Sequence, residues 1–430
     1  MGTDAIYRPS GGCVRSASLS HLKKRWSDSL FGEAEFTRFF DRPRKQHRGP
    51  APRLMILSVS AGSGHVRAAE AVKAHAHAHF PSIRVQHCDV MQLVPRAFRK
   101  IYTDWYIALA SYLPEAWGWL YRKTDQQSAG SWLDAARRFL QQRCAGSLMA
   151  EIDRFAPDAI LCTHFLPAEL LSAAVQRGRL HCPVWIQVTD FDLHHMWVHE
   201  QLAGYFVAND ELRYRLQAYG VPSERIIVSG IPVMPDFSAP PSRAISAARF
   251  GLDAQRMTIL LMGGGAGVGN MDAMTSRLLA LDPTIQLIVL AGKNSALLES
   301  LQSLSATYPG RLLAMGFTQE VHALMACTDL VITKPGGLST SECLVMGLPM
   351  LLVNPIPGQE ERNAAFLLQE GVAVRADDPA TLAYRLQDLL HHPARLITMR
   401  ERAQALAKPH AAAVVFDTVL RLNATIPTRP

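Results

Sequence analysis

The chain has 430 residues, of which 48% are hydrophobic, and its net charge is +7. This length and composition are typical of two domains with large cores. No apolar run reaches the ~18 residues of a spanning helix, and the first residues lack an apolar core, so we expect no spanning segment or signal peptide. The basic charge permits a nucleic acid, an anionic membrane surface or an acidic small ligand as a partner.

Seven cysteines are scattered along the chain, and none forms a Cys-x-x-Cys pair. We therefore expect neither a disulfide framework nor a zinc site. Unpaired cysteines fit a protein of the reducing cytoplasm.

Residues 1–52 form a basic N-terminal extension with Gly and Pro at both ends. Two interpretations stay open for it. It is either a solvated tail or a polybasic arm that adheres to acidic lipid headgroups, where each basic residue contributes on the order of 1 kcal/mol.

The first ordered unit is predicted to begin with a strand over residues 54–59, followed by a Gly-rich loop and a helix over 66–80. The loop is not a dinucleotide fingerprint, because Arg67 stands where the third glycine would be. It places His65 at the carboxyl edge of the first strand, where open α/β sheets bind ligands. We predict a catalytic or substrate-contacting role for His65, although a lone histidine is often inert.

Residues 91–133 interleave aromatic and basic side chains, among them Trp105, Trp117 and Trp119. This mixture is typical of an element that lies on a membrane surface. An ordinary helical subdomain packed on the sheet is the competing interpretation. Single-stranded nucleic acid also binds aromatic and cationic residues, but no recognised nucleic-acid module surrounds the segment, so we expect no nucleic-acid partner.

Strands predicted over 159–162 and 184–188 continue the unit, with a helix over 167–176 between them. Two carboxylates and three imidazoles follow the second strand, within residues 189–199. Three interpretations remain open: a metal site, an acceptor-side active-site loop and a structural polar cluster. The spacing matches no zinc pattern, and we favour the active-site loop.

Strands predicted over 205–208 and 225–228 complete a first domain at 53–234, and a Pro-rich connector occupies 235–241. A second domain, 242–407, opens with a buried strand at 258–262 and a Gly-rich loop at 263–269. Strands over 285–291, 311–315, 330–333 and 350–353 alternate with helices, which predicts parallel sheets with right-handed crossovers. Residues 408–430 are predicted to form a C-terminal helix that crosses back to the first domain.

The segment 330–366 contains two strand–loop–helix units. Gly336 and Gly337 break the chain after a strand, and Ser339 and Glu342 have capping-box spacing, so a helix should start there. A helix N-terminus behind a Gly-rich turn suits a phosphate. The following helix carries Gln359, Glu360 and Asn363, whose carboxylates and amides can hold sugar hydroxyls. Glu342 alone is open to a second interpretation, in which it only caps its own helix.

Six motifs in this order resemble the monogalactosyldiacylglycerol synthases and bacterial processive diacylglycerol glucosyltransferases. They are SAGSGH (60–65), TDFDLHHMWVH (189–199), GIPV (230–233), LMGGGAG (261–267), TKPGGLSTSE (333–342) and PGQEERNA (357–364). The resemblance covers residues 53 to about 405 and extends to the N-acetylglucosaminyltransferase that makes lipid II. The first loop of the family is often Gly-Gly-Gly-His, and here it is Gly-Ser-Gly-His. The resemblance implies a GT-B fold, in which two Rossmann-like doubly wound α/β domains face each other across a cleft.

The resemblance also implies site residues. The implied donor, a UDP-sugar, would lie against the second domain, with Glu342 on the ribose hydroxyls. The full set of implied donor contacts is Gly263, Gly264, Gly265, Lys334, Gly336, Gly337, Ser339, Thr340, Glu342, Gln359, Glu360 and Asn363. His65 and Asp190 would activate the acceptor hydroxyl. The acceptor or membrane contacts are expected to be Trp105, Trp117, Trp119, His194, Trp197 and His199.

The expected activity is inverting transfer of a hexose to diacylglycerol by a peripheral protein on the inner face of the plasma membrane, without metal or other cofactor. Positive helix ends can meet the departing diphosphate, and a neutral histidine has a suitable pKa for a general base. The alternatives are a GT-B enzyme with another lipid or secondary-metabolite acceptor, a UDP-sugar epimerase, and a non-catalytic anionic-lipid-binding protein. The sugar, the processivity and the oligomeric state are left open.

Overall fold

The structure is a computed structural model that describes residues 51–60, 62–93, 146–199, 201–263 and 271–423. The basic extension, the aromatic segment and most of the second Gly-rich loop lie outside these residues. The predictions for Trp105, Trp117, Trp119, Gly264 and Gly265 therefore lie outside the described residues.

Within the described residues, twelve strands form two parallel sheets of six. The first sheet has the order β2-β1-β3-β4-β5-β6 and the second the order β12-β11-β10-β7-β8-β9. The strands are β1 (Arg53–Ser58), β2 (Arg84–Asp89), β3 (Ala159–Cys162), β4 (Val184–Gln187), β5 (Gly204–Val207), β6 (Ile226–Val228), β7 (Thr258–Met262), β8 (Gln286–Leu290), β9 (Leu312–Met315), β10 (Leu330–Thr333), β11 (Met350–Val353) and β12 (Ala373–Ala376).

Helices follow most of the strands and cover both faces of each sheet. They are α1 (Ser63–His79), α2 (Phe165–Gln176), α3 (Asp210–Ala218), α4 (Pro235–Ser238), α5 (Arg243–Phe250), α6 (Met271–Leu281), α7 (Ser295–Thr307), α8 (Val321–Ala326), α9 (Gly337–Val345), α10 (Gln359–Gln369), α11 (Pro379–His391), α12 (Pro393–Leu406) and α13 (Ala411–Asn423). A further helical segment at 146–155 and short 3-10 turns complete the described chain.

The strands form because short apolar runs are bounded by turn residues and buried on both faces. All residues of β3, β4, β7, β10 and β11 are buried. The register between β10 and β7 pairs Thr333 with Met262, so the two strands end side by side. Gly263, directly after β7, and the loop at 334–336, directly after β10, therefore lie at one edge of the second sheet.

The last helix, α13, packs on the first sheet. Phe416 is 1% exposed and lies in one cluster with Leu54, Ile56 and Phe206. Its ring centroid is 5.0 Å from that of Phe80, at the end of α1. The chain thus returns to its first half after completing the second sheet.

A hydrophobic cluster joins the two sheets within the unit Ala51–Pro430. It contains Phe191 and Ile231 from the first half together with Leu344 and Ala364 from the second. Phe191 stacks on Phe366 with ring centroids 5.1 Å apart. The predicted division into domains at 234 and 242 stays a prediction.

Local differences from the sequence prediction have simple causes. The connector at 235–241 contains α4, and Ser242 caps α5 by accepting a hydrogen bond from Ile245 N. Strand β12 was not predicted, because the run from Ala373 to Ala376 is short and includes Arg375. It is fixed by its pairing with β11 rather than by its own pattern.

Candidate active site at the facing sheet edges

His65 lies in the first turn of α1, directly after the carboxyl end of β1. Its Nδ1 is 3.0 Å from the carbonyl oxygen of Thr163. A carbonyl oxygen can only accept, so the neutral ring carries its proton on Nδ1, and Nε2 keeps the lone pair. The Thr163 hydroxyl in turn donates to the His65 carbonyl oxygen at 2.9 Å, which fixes the loop.

His65 is half-buried and lies among aromatic rings. The ring of His164 meets it edge-on at 4.5 Å, and Trp197 lies 6.4 Å away between centroids. Burial lowers the pKa of His65 to about 4, against a smaller opposing effect of the Thr163 carbonyl. The imidazole is therefore neutral near pH 7, as a general base requires.

Asp190 is buried in the loop after β4, and its contacts cross to the other half of the molecule. Gln359 Nε2 donates to Asp190 Oδ1 at 2.6 Å, and Asn363 Nδ2 donates to the same oxygen at 3.3 Å. Burial raises the pKa of Asp190, and these two hydrogen bonds oppose the shift. The carboxylate thus faces the residues that the sequence assigned to the sugar.

Asn363 is fully buried and holds three segments together. Its Oδ1 accepts from Phe191 N at 2.9 Å, and its Nδ2 also donates to Pro335 O at 3.1 Å. Both predicted sugar-holding amides, Gln359 and Asn363, therefore connect the loop after β4 to the second sheet. The carboxylate of the third predicted residue, Glu360, accepts from Ile356 N at 2.7 Å and closes the turn before α10.

Helix α9 begins at Gly337, with Gly336 as an N-cap that has no side-chain bond. The predicted helix start at Ser339 with a capping box is therefore wrong, since the helix starts earlier and Glu342 does not cap it. The reason is a close approach of two backbones: a Cβ on Gly337 would overlap the carbonyl oxygen of Thr189. Only glycine permits the helix to begin against that loop.

Glu342 is 7% exposed, on the buried side of α9. Burial raises its pKa to about 7, and Arg67 opposes the shift. Of its neighbours in α9, Ser339 is half-buried and Thr340 is fully buried, and the Thr340 hydroxyl has no hydrogen-bond partner among the described residues. The Glu342 carboxyl is poorly solvated and does not cap α9, so it can accept hydrogen bonds from ligand hydroxyls.

Lys334 and Gly263 line one small cleft at the carboxyl ends of β7, β10 and β11, together with Asn354. Burial raises the pKa of Glu360, and the hydrogen bond from Ile356 N and the Lys334 ammonium oppose this shift. A cation, two glycine-containing turns and the N-terminus of α9 thus share one sheet edge, which suits a phosphorylated ligand.

The remaining predicted acceptor residues lie in the 189–199 loop. His194 is 3% exposed, and its Nδ1 accepts from Met196 N at 3.1 Å. His199 N donates to the Tyr205 hydroxyl at 2.6 Å. Trp197 is also 3% exposed, so it lies in the core beside His65 rather than on the surface. Among the described residues no group of three or more His, Cys, Asp or Glu side chains could hold a metal ion.

The sequence prediction missed several residues that the structure places at the site. Asp192 forms ion pairs with Arg215 and, at 2.7 Å, with Arg362. His164 could have been found, because it follows a predicted strand at the same sheet edge as His65.

A search of the described helices found none that is long and apolar enough to cross a membrane.

Comparison with known families adds two matches. A model described as monogalactosyldiacylglycerol (MGDG) synthase matches residues 65–233. A model described as the glycosyltransferase family 28 C-terminal domain matches residues 258–415. The first match includes His65 and the 189–199 loop, and the second includes Lys334, α9 and α10.

Curated relatives carry the name processive diacylglycerol beta-glucosyltransferase. The chain is 28% identical to that of Bacillus thuringiensis (strain Al Hakam) over 86% of its own length and 94% of the relative. It is 32% identical to that of Bacillus pumilus (strain SAFR-032) over 55% of its length, a match that spans 62% of that relative.

Solved structures support the fold. Acinetobacter baumannii MurG superposes with a TM-score of 0.55 at 17% identity, covering 86% of this chain and 100% of that one. The UDP-GlcNAc 2-epimerase of Neisseria meningitidis, bound to UDP-GlcNAc, gives 0.54 at 15% identity, with 86% and 100% covered. With its two parallel sheets, the chain has the predicted two-domain GT-B fold. Over most of its length it is similar to the glycosyltransferase family of monogalactosyldiacylglycerol synthases and processive diacylglycerol glucosyltransferases.

Proposed function

We propose that the protein transfers a hexose from a UDP-sugar to the hydroxyl of diacylglycerol, with inversion at the anomeric carbon, at the surface of an anionic membrane. The observation that carries this proposal is the position of His65, whose Nδ1 faces the Thr163 carbonyl while helix α9 of the second sheet lies against the adjacent loop. A candidate base close to a helix N-terminus that suits a phosphate supports the proposal.

The proposed reaction is a single displacement. Nε2 of His65 takes the proton of the acceptor hydroxyl while the hydroxyl oxygen forms a bond to the anomeric carbon. The bond from that carbon to the diphosphate breaks, and UDP leaves with the electron pair. Attack from the face opposite the leaving group inverts the configuration.

The departing negative charge needs positive groups, and the second sheet edge provides them. The first peptide N–H groups of α9 and the Lys334 ammonium stabilise the diphosphate oxygens without reorganisation. We propose that these groups suffice and that no metal ion is required. Glu342 accepts from the ribose hydroxyls, and Gln359 and Glu360 contact the sugar, while the fully buried Asn363 holds the loop after β4 beside them.

A lipid acceptor is proposed from the relatives' names, from the apolar surroundings of His65 and from the net charge of +7. Glucose is the proposed sugar, because the curated relatives are named glucosyltransferases, whereas the first family model is named for galactose. Lipid contact at the inner face of the plasma membrane is part of this proposal.

The test is a transfer assay with UDP-glucose or UDP-galactose and diacylglycerol in vesicles with and without anionic lipid. We expect a glycolipid detected by mass spectrometry, with more product from UDP-glucose and on anionic vesicles, and unchanged rates in a chelator. Isomerisation of UDP-sugar without acceptor would instead favour an epimerase. Vesicle binding without transfer or hydrolysis would favour a non-catalytic lipid-binding protein.

A further inference from the structure

We propose that Thr189 is a positioning residue that aligns the ring of His65 and makes this alignment depend on the donor-side helix α9. The inference rests on the proposed function and extends it to a residue that touches neither predicted substrate. It follows from contacts on the two sides of one dipeptide, Thr189 and Asp190.

The first contact is with the base. Thr189 Oγ1 lies 2.7 Å from His65 Nδ1, the same nitrogen that is 3.0 Å from Thr163 O. Since Thr163 O can only accept, both oxygens share the Nδ1 proton. When Nε2 takes a proton from the acceptor, the ring becomes cationic and both hydrogen bonds strengthen. Thr189 therefore favours the tautomer that leaves Nε2 basic and stabilises the charge that forms.

The second set of contacts is with the donor side. The carbonyl oxygen of Thr189 lies so close to Gly337 that no Cβ fits between them. The next side chain, Asp190, accepts from Gln359 and Asn363 on α10. Thr189 is 4% exposed, so it has little room to move independently.

Through these contacts the dipeptide Thr189–Asp190 both orients the His65 ring and joins the loop after β4 to α9 and α10. The hydroxyl of Thr189 reaches His65 only while its backbone lies against the start of α9 and Asp190 is held by α10. The base is thus correctly oriented when the two halves of the site are together. Water attack on the sugar when the halves are apart is then slow, because the base is not aligned.

Thr189→Val tests the inference, because it keeps the shape of the side chain and removes the hydroxyl, and Thr189→Ser restores the hydroxyl. We expect Thr189→Val to lower kcat about tenfold, the effect of one lost hydrogen bond to a charged group, with KM for UDP-glucose within about twofold. Thr189→Ser should retain most of the wild-type kcat. Thr189→Ala, which adds no atoms, should reproduce the loss if the valine variant folds poorly.

A readout that needs no turnover is the ring ¹⁵N spectrum of histidine-labelled protein, with the His65 signal identified by its loss in His65→Gln. We expect Thr189→Val to shift the His65 Nδ1 signal, because one of the two hydrogen bonds to that nitrogen is lost, and Thr189→Ser to leave it nearly unchanged. Unchanged kcat and unchanged His65 signals in both Thr189→Val and Thr189→Ala would overturn the inference. If wild-type protein transfers no sugar, the proposed function fails, and the ring spectrum alone decides on Thr189.

Discussion

The substitution Glu342→Gln tests whether the Glu342 carboxylate binds a ligand or stabilises the fold. The carboxyl is 7% exposed, and burial raises its pKa to about 7, from a usual value of 4.5. An acid whose pKa is higher in the folded state is protonated more readily there than in the unfolded chain. Its ionisation therefore costs stability, and the cost grows as the pH rises from 4.5 to about 7.

The magnitude follows from the shift. Each pKa unit corresponds to ~1.4 kcal/mol, so ionised Glu342 lowers the free energy of unfolding at pH 8 by about 3 kcal/mol. Glutamine resembles the protonated acid and avoids this cost. We expect Glu342→Gln to be more stable than wild type by up to about 3 kcal/mol at pH 8 and equal to it near pH 4.5.

The same substitution should weaken the donor complex. In the proposed donor complex the ribose hydroxyls donate to the Glu342 carboxylate, and a hydrogen bond to a charged group contributes about 1.5–3 kcal/mol. Loss of one such bond predicts at least about tenfold weaker UDP binding at pH 8. The variant should be more stable and bind less, a combination expected where a functional group is retained at a cost to the fold.

The assays are denaturant unfolding at pH 4.5 and pH 8 and calorimetric titration with UDP. Glu299→Gln is the matched control, because Glu299 is an exposed carboxylate on α7, which follows β8 of the second sheet. This variant should change neither the free energy of unfolding nor the affinity for UDP. A loss of stability in Glu342→Gln at pH 8, or UDP binding equal to wild type, would refute the assignment.

Further predictions concern the base and the contacts between the sheets. His65→Ala should reduce turnover by about 10²–10⁴-fold and leave UDP affinity within about twofold, by initial rates and calorimetry. The pKa of His65 is about 4, so its neutral form persists down to about pH 5.5. We therefore expect kcat at saturating donor to stay constant from pH 8 to about pH 5.5. A fall in kcat with a midpoint near pH 6.5 would contradict this. Gly337→Ala should lower the thermal midpoint and the rate, because its Cβ overlaps a backbone carbonyl, whereas Gly146→Ala, with open space at its Cβ, should change neither. Asp192→Asn should cost about 1–3 kcal/mol by removing two ion pairs from a side chain that is 12% exposed, and the exposed Asp210→Asn under about 1 kcal/mol.

The sheet and most element limits were predictable because they depend on local pattern. The runs at β3, β7, β10 and β11 are apolar and end at turn residues, and the structure gives the predicted bounds. The start of α9 was not predictable in this way. Ser339 and Glu342 have the right spacing for a cap, but the contact of Gly337 with Thr189 decides where the helix begins.

The arrangement of the site depends on contacts between residues far apart in sequence. Asp190 and Gln359 are separated by 169 positions, and no local pattern shows that their side chains meet. Thr189 stood inside a recognised motif, yet its bond to His65 spans 124 positions. The sequence therefore grouped candidate residues into motifs and left open which of them contact one another.

The most direct test of the whole account is the anomeric configuration of the glycolipid formed from α-linked UDP-glucose and diacylglycerol, determined by NMR for wild type and His65→Ala. We expect a β-glucoside from wild-type protein and almost none from the variant. An α-glucoside, or equal product from His65→Ala, would contradict a single displacement with His65 as the base.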